Sequence, residues 1–203
     1  MNNTLPIALV LVCALSALPG PAQAQDAAAA RQMFEAGQYQ QVIDATTDAA
    51  VPDALYVAAQ SRQKLGATDE ARDTYGRLAA RADTDVWHFI GVSGRQLLDD
   101  QTDTALAAAQ QATAMAGELS AAHYQVGLVL ARRLDWSAAA GAFDRAAELD
   151  PSHAYAHYYG GLMDYQAGRP DRMAVQFEQF LKLAPEAPER PEVVQIMRTV
   201  RGR

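Results

Sequence analysis

Residues 120–153, SAAHYQVGLVLARRLDWSAAAGAFDRAAELDPSH, run without a gap into a second stretch of equal length, residues 154–187, AYAHYYGGLMDYQAGRPDRMAVQFEQFLKLAPEA. Laid over one another, Gly127 falls on Gly161, Phe143 on Phe177, Leu149 on Leu183 and Pro151 on Pro185. Two further blocks precede them in phase, beginning at Pro52 and Val86. One period before Phe143 stands Ala109, two periods before stands Tyr75, and Gly66 lies three periods before Gly168. A period of this length marks a stacked array, in which each unit buries its apolar face only against its neighbours.

Each block carries two apolar stripes at helical spacing, separated by a break. In the third block they cover 120–133 and 136–148, with Leu134-Asp135 as the turn. Asp150-Pro151-Ser152 is expected to stop the second helix and cap the next. The other inner turns are Leu65-Gly66-Ala67, residues 99–103, and Ala167-Gly168-Arg169-Pro170. Each block is thus a helical hairpin, too short to be stable alone.

Counted from Ser120, the third block places Val126 and Gly127 at positions seven and eight, Ala139 at twenty, Phe143 at twenty-four, Ala146 at twenty-seven and Pro151 at thirty-two. In this the chain resembles the tetratricopeptide-repeat (TPR) family, whose signature falls at those places. The fourth block keeps Gly161, Phe177 and Pro185 but has Met173 and Phe180 at two small-residue positions. The first keeps Ala59, Ala71 and Tyr75; the second keeps Ser93, Ala105 and Ala112. The resemblance implies an all-α fold, a right-handed superhelical solenoid of antiparallel helix pairs, with four repeats at 52–85, 86–119, 120–153 and 154–187.

The flanks read as end pieces of the stack. Residues 25–51 hold a degenerate hairpin around Ala36-Gly37-Gln38-Tyr39, out of phase by five residues. Residues 188–203 supply a C-terminal capping helix, with Val193, Val194, Ile196, Met197 and Val200 facing the last repeat. Arg198, Arg201 and Arg203 then sit where cations favour a helix end.

Ahead of the array, residues 5–18 are almost wholly apolar, Pro19-Gly20-Pro21 breaks the run, and Ala22-Gln23-Ala24 follows. This is the pattern of a secretory signal peptide, residues 1–24, cleaved after Ala24. The run is shorter than the roughly 20 residues a membrane span needs. Export to a periplasm is the expected destination; an uncleaved membrane anchor, or lipidation at Cys13, are the alternatives. Cys13 is the only cysteine, so the chain after Ala24 has no thiol for a disulfide, a nucleophile or a metal.

Of 203 residues, 43 are Ala, the strongest helix former, and half are hydrophobic. The net charge of -7 argues against nucleic acid or an anionic membrane surface as partner.

The family's arrays curve, and the first helix of each repeat lines the concave side. Positions two, five, nine and twelve of that helix form one stripe, expected to be polar on a half-buried helix. In the first block it is: Asp53, Tyr56, Gln60, Gln63. In the second it reads Trp87, Ile90, Gly94, Leu97, in the third Ala121, Tyr124, Leu128, Ala131, and in the fourth Tyr155, Tyr158, Leu162, Tyr165. Aromatic side chains with a polar tip are favoured as binding anchors. The expected site is therefore an aromatic groove of Trp87, Ile90, Leu97, Tyr124, Leu128, Tyr155, Tyr158, Leu162 and Tyr165, taking a peptide or helix of another exported protein. The competing expectation is that these residues pack on neighbouring hairpins or on the C-terminal helix. The family's carboxylate-clamping members use Lys and Asn at positions five and nine of early repeats; here Tyr56, Gln60, Ile90 and Gly94 stand there.

Chemistry has no matching signature. Phosphate-binding glycine motifs are absent, as is a Ser, His and Asp arrangement on a strand–turn–helix. His123 and His157 share position four and are expected in inter-helix packing, with His153 just after the Ser152 cap. The Asp99, Asp100 and Asp103 cluster reads as solvated capping rather than a calcium site. Neither an enzyme nor a cofactor is expected. A non-enzymatic envelope adaptor or scaffold is the first reading, a structural or oligomerising subunit the second, an accessory hydrolase domain the third.

Overall fold

In a computed structural model of the protein, residues 21–46 and 51–201 are described. The apolar run 5–18 and Cys13 lie outside them. Among the described residues the secondary structure is helical throughout: α1 (Pro21–Glu35), α2 (Tyr39–Ala45), α3 (Pro52–Lys64), α4 (Thr68–Ala79), α5 (Val86–Leu98), α6 (Thr102–Met115), α7 (Ser120–Arg132), α8 (Trp136–Leu149), α9 (Ala154–Gln166), α10 (Pro170–Leu183) and α11 (Arg190–Arg201). Two helices fall in each 34-residue block. α1 begins at Pro21, so the expected cleavage point after Ala24 lies within it.

The repeat spacing works through close approach. At position eight of the third and fourth blocks, an added Cβ on Gly127 would lie 2.7 Å from the Phe143 ring, and one on Gly161 would lie 2.5 Å from Phe177. The ring of each second helix thus rests on the bare backbone of the first. Both rings are fully buried. α5 meets α4 as tightly, and against backbone: a Cβ on Gly91 would stand 2.5 Å from the backbone nitrogen of Ala79. Positions twenty and twenty-seven are Ala71 and Leu78, Ala105 and Ala112, Ala139 and Ala146, Met173 and Phe180, and every one is buried.

The inner turns share one conformation. Gly66, Asp100, Leu134 and Gly168 all occupy position fifteen, and all have positive φ, between 56° and 76°. Glycine enters this region freely, whereas a branched side chain is strained there. Leu134 is 65% exposed, so its side chain does little to offset the strain. The Leu134→Gly protein is expected to be more stable by about 1 kcal/mol, read as a raised urea midpoint with unchanged slope; an unchanged or lower midpoint would contradict this.

Two sequence expectations need correction. Ser152 does not cap α9: its N-cap is His153, which makes no side-chain cap bond. Ser152 instead donates to Asp150 at 2.6 Å. The acidic cluster at the second inner turn does not cap α6 through its side chains, since the N-cap is Gln101 and no side-chain cap bond is made. Arg72 Nε donates to Asp99 at 2.8 Å, while Arg132 and Arg133 pair with Asp100 and Asp103. These pairs tie the second inner turn to the first and third blocks.

α11 closes the C-terminal end with Val193 and Met197 buried and Ile196 and Val200 packed beside them. The other end behaves unlike a simple cap. The C-terminal half of α1 reaches the start of α3, where Arg31 pairs with Asp53, and also the start of α9, four repeats along. The first helices of the blocks therefore surround a narrow lumen.

Candidate functional site

Position five of each first helix, Tyr56, Ile90, Tyr124 and Tyr158, is buried in every block. The curvature is tight enough that the first and third repeats touch across the lumen. The Tyr56 hydroxyl donates to Gln125 Oε1 at 2.9 Å, and Gln125 Nε2 donates to Ser93 Oγ at 3.0 Å. This satisfied polar chain, with Gln125 wholly buried, locks the N-terminal halves of α3, α5 and α7 together. Tyr155 is sealed as well: Phe34 lies 4.8 Å from its ring and Phe180 5.9 Å.

The exposure expected of the stripe is thus corrected for four of its nine residues. Ile90, Tyr124, Tyr155 and Tyr158 are core, because the lumen is too narrow to leave both faces of these helices wet. Trp87 is half-buried against Tyr56, with ring centroids 5.9 Å apart. Leu97, Leu128 and Leu162 stay partly open, and Tyr165 is 40% exposed.

A cavity of about 610 Å³ opens in the lumen, walled by Leu97, Leu98, Leu128 and Leu162, with Trp136 of α8 at its side and Phe34, Tyr124 and Tyr159 at its inner end. Gln63 and Lys64 of α3 and Arg132 of α7 add polar groups to its wall. A few convergent polar groups on an apolar concavity of this size characterise ligand sites in general. Leu65, Leu134 and Tyr165, at positions fourteen, fifteen and twelve, are exposed at the same inner-turn end.

Sequence reasoning missed Leu98, Trp136 and Lys64. Leu98 and Lys64 occupy position thirteen, one residue beyond the stripe, where the helix has rotated by about 100°. Trp136 opens a second helix, where no concave residue was sought; a Trp at a helix start was the signal available.

The Lys64 ammonium is held among aromatic rings and one carboxylate. Nζ lies 5.0 Å from the Tyr155 ring centroid, 5.8 Å from Tyr159 and 6.0 Å from Tyr158, and donates to Glu189 Oε1 at 2.6 Å. Burial lowers its pKa, but Tyr159 and Glu189 outweigh burial and hold it above the usual value. Glu189 also accepts from the Tyr155 hydroxyl at 2.7 Å. Burial favours its neutral form, yet Lys64 and Tyr155 together hold it below the ordinary carboxylate range. A cation over aromatic faces gains when desolvated.

Of the histidines, His123 Nε2 lies 2.9 Å from the Gly117 carbonyl, and His157 Nδ1 lies 2.6 Å from Gln176 Oε1. Buried His153 stacks 4.6 Å from Tyr124. Among the described residues no group of three His, Cys, Asp or Glu side chains stands close enough to hold a metal ion, and no helix is long and apolar enough to cross a membrane.

Antiparallel helix pairs stacked around a lumen, with small residues at position eight and aromatic rings upon them, define the tetratricopeptide-repeat fold. The protein is similar to TTC0263, a thermophilic TPR protein of Thermus thermophilus, with a TM-score of 0.61 at 19% identity over 85% of this chain and 97% of that one. It is also similar to MamA, with a TM-score of 0.50 at 19% identity over 71% of this chain and 84% of that one. No protein-family model and no curated protein matches the chain, so the likeness is one of fold.

Proposed function

We propose that this protein is a non-enzymatic adaptor of the cell envelope, exported by its N-terminal signal, that holds a peptide or helix of another exported protein in the lumen between the C-terminal halves of α3, α5, α7 and α9. The observation that carries this reading is the cavity of about 610 Å³ with its wall of Leu97, Leu98, Leu128, Leu162 and Trp136. An apolar concavity held open by a rigid scaffold is a place for a guest side chain rather than for the protein's own. Solenoids of this fold work by presenting such surfaces.

A photo-crosslinking amino acid placed at Leu128, and separately at the exposed Val175 of α10, tests it in cells. A discrete adduct with a second protein from position 128 and none from 175 is the expected result, with circular dichroism of both variants unchanged. The same yield from both positions, or no adduct from 128 or from Tyr165, would overturn the reading. Fractionation of the tagged chain reports on export: finding it with the cytoplasmic markers would remove the envelope from the proposal.

A further inference from the structure

The contacts between α1 and the fourth repeat are of an unusual kind for a solenoid. Repeat arrays are held by nearest-neighbour interfaces, yet here side chains well over a hundred residues apart are joined. Arg31 pairs with Asp150 as well as with Asp53. Glu35 Oε1 accepts from the backbone nitrogen of Ala154, the first residue of α9, at 3.3 Å. Phe34 lies on the Tyr155 ring, and the Tyr39 and Tyr155 hydroxyls are 3.3 Å apart. Arg31, Phe34 and Glu35 form one face of α1, at i, i+3 and i+4. They meet a complementary surface on the far side of the lumen: a carboxylate, an aromatic ring and the positive end of a helix.

α3 to α10 pack consecutively, each on the next, so the contact of α1 with α9 is additional to those neighbour interfaces. Its polar part is a set of half-buried ion pairs, whose desolvation offsets much of their mutual attraction, and a void of about 20 Å³ remains between Arg31, Glu35, Asp53 and His153. We infer that the N-terminal hairpin α1–α2 is a displaceable internal ligand, and that the surface beneath it, Asp150, Tyr155 and the N-terminus of α9, receives a partner helix bearing a basic, an aromatic and an acidic side chain in the order and spacing of Arg31, Phe34 and Glu35. This rests on the adaptor reading and adds the chemistry of the partner: an amphipathic helix with an Arg-x-x-Phe-Glu face. Displacement uncovers Tyr155 and extends the open lumen towards the N-terminal ends of the helices.

The probe is a synthetic peptide of residues 27–46 added to the full chain, followed by hydrogen exchange. A tethered segment competes at an effective concentration near millimolar, so the intact chain is expected to bind the peptide weakly. The full-length Arg31→Ala/Phe34→Ala protein, whose own hairpin has lost its grip, is expected to bind at least tenfold more tightly. In the intact chain binding should speed exchange in α1–α2; in the double variant, whose hairpin is already loose, it should slow exchange in the first turn of α9. A peptide with Ala at the Phe34 and Glu35 places should do neither, and Asp150→Lys in the double variant should abolish binding. Equal affinity for both chains, no binding to either, or binding to the intact chain without faster exchange in α1–α2 would overturn the inference. Crosslinking from Leu128 reads occupancy of the cavity whether or not the hairpin leaves. Adducts there without peptide displacement would sink this inference alone, and displacement without adducts would sink the adaptor reading.

Discussion

Replacing Phe143 by Ala is expected to remove about 3–5 kcal/mol of stability, the loss seen when a large aromatic leaves a core that cannot collapse around the gap. The ring is fully buried, stacks on Tyr159 at 5.6 Å, meets the edge of Tyr124 at 5.5 Å, and lies against the bare backbone of Gly127. Those three neighbours belong to two different repeats, so the cavity opens where the third and fourth blocks join. A domain is stable by only about 5–15 kcal/mol, and this one change takes a large share. A second substitution sharpens the test. Gly127→Ala alone places a methyl 2.7 Å from the ring and should cost about 1–3 kcal/mol by overpacking. In the Phe143→Ala background the same methyl enters empty space, and its cost should vanish. Additive losses in urea unfolding would show that the two residues do not share one contact.

The second large effect is on the pH dependence of stability. Burial, aided by the nearby Arg31 charge, pushes the His153 pKa down to about 3. Between about pH 3 and the unfolded value near 6.5, the unfolded chain holds a proton that the folded chain does not. Stability from this group is complete above pH 6.5 and is lost on acidification, by about 5 kcal/mol in full. Glu35 acts in the opposite sense. Burial raises its pKa to about 7, against the Ala154 N–H that lowers it. The folded chain therefore holds the extra proton between about 4.5 and 7, and about 3 kcal/mol is lost as pH rises through that window. The two slopes cancel between about pH 4.5 and 6.5. The intact protein should show a nearly flat stability there and a steep fall below pH 4.5. Glu35→Gln should move the onset of acid loss up to about pH 6.5, and His153→Gln should make the protein more stable at pH 5 than at pH 7. Parallel curves for all three would mean that neither side chain titrates as its burial requires.

Much of this molecule is legible in its residues. The gap-free recurrence of Gly127 and Gly161, and of Phe143 and Phe177, gives the helix pairs and their contact, because a ring against a glycine backbone is a local matter between two adjacent helices. The position-fifteen turn is legible for the same reason. The groove is legible only in part. A stripe of Trp87, Ile90, Tyr124, Tyr155 and Tyr158 announces an apolar face, but an apolar face can be turned to a guest or to the protein itself. That outcome depends on curvature, a sum of small rotations between repeats that no single block encodes. Here the sum brings Tyr56 to Gln125 and α1 to α9, burying the position-five side chains and leaving a cavity beside Leu97, Leu128 and Leu162.

The sequence alone determined the period, the hairpins and the small-to-large packing at each pair, since those forces act over one or two helices. Only the tertiary structure decided which aromatic residues are core and where the lumen opens. It also placed Arg31, Phe34 and Glu35 on a repeat more than a hundred residues away. Such contacts follow from how the array closes in space, and closure is a property of the whole stack.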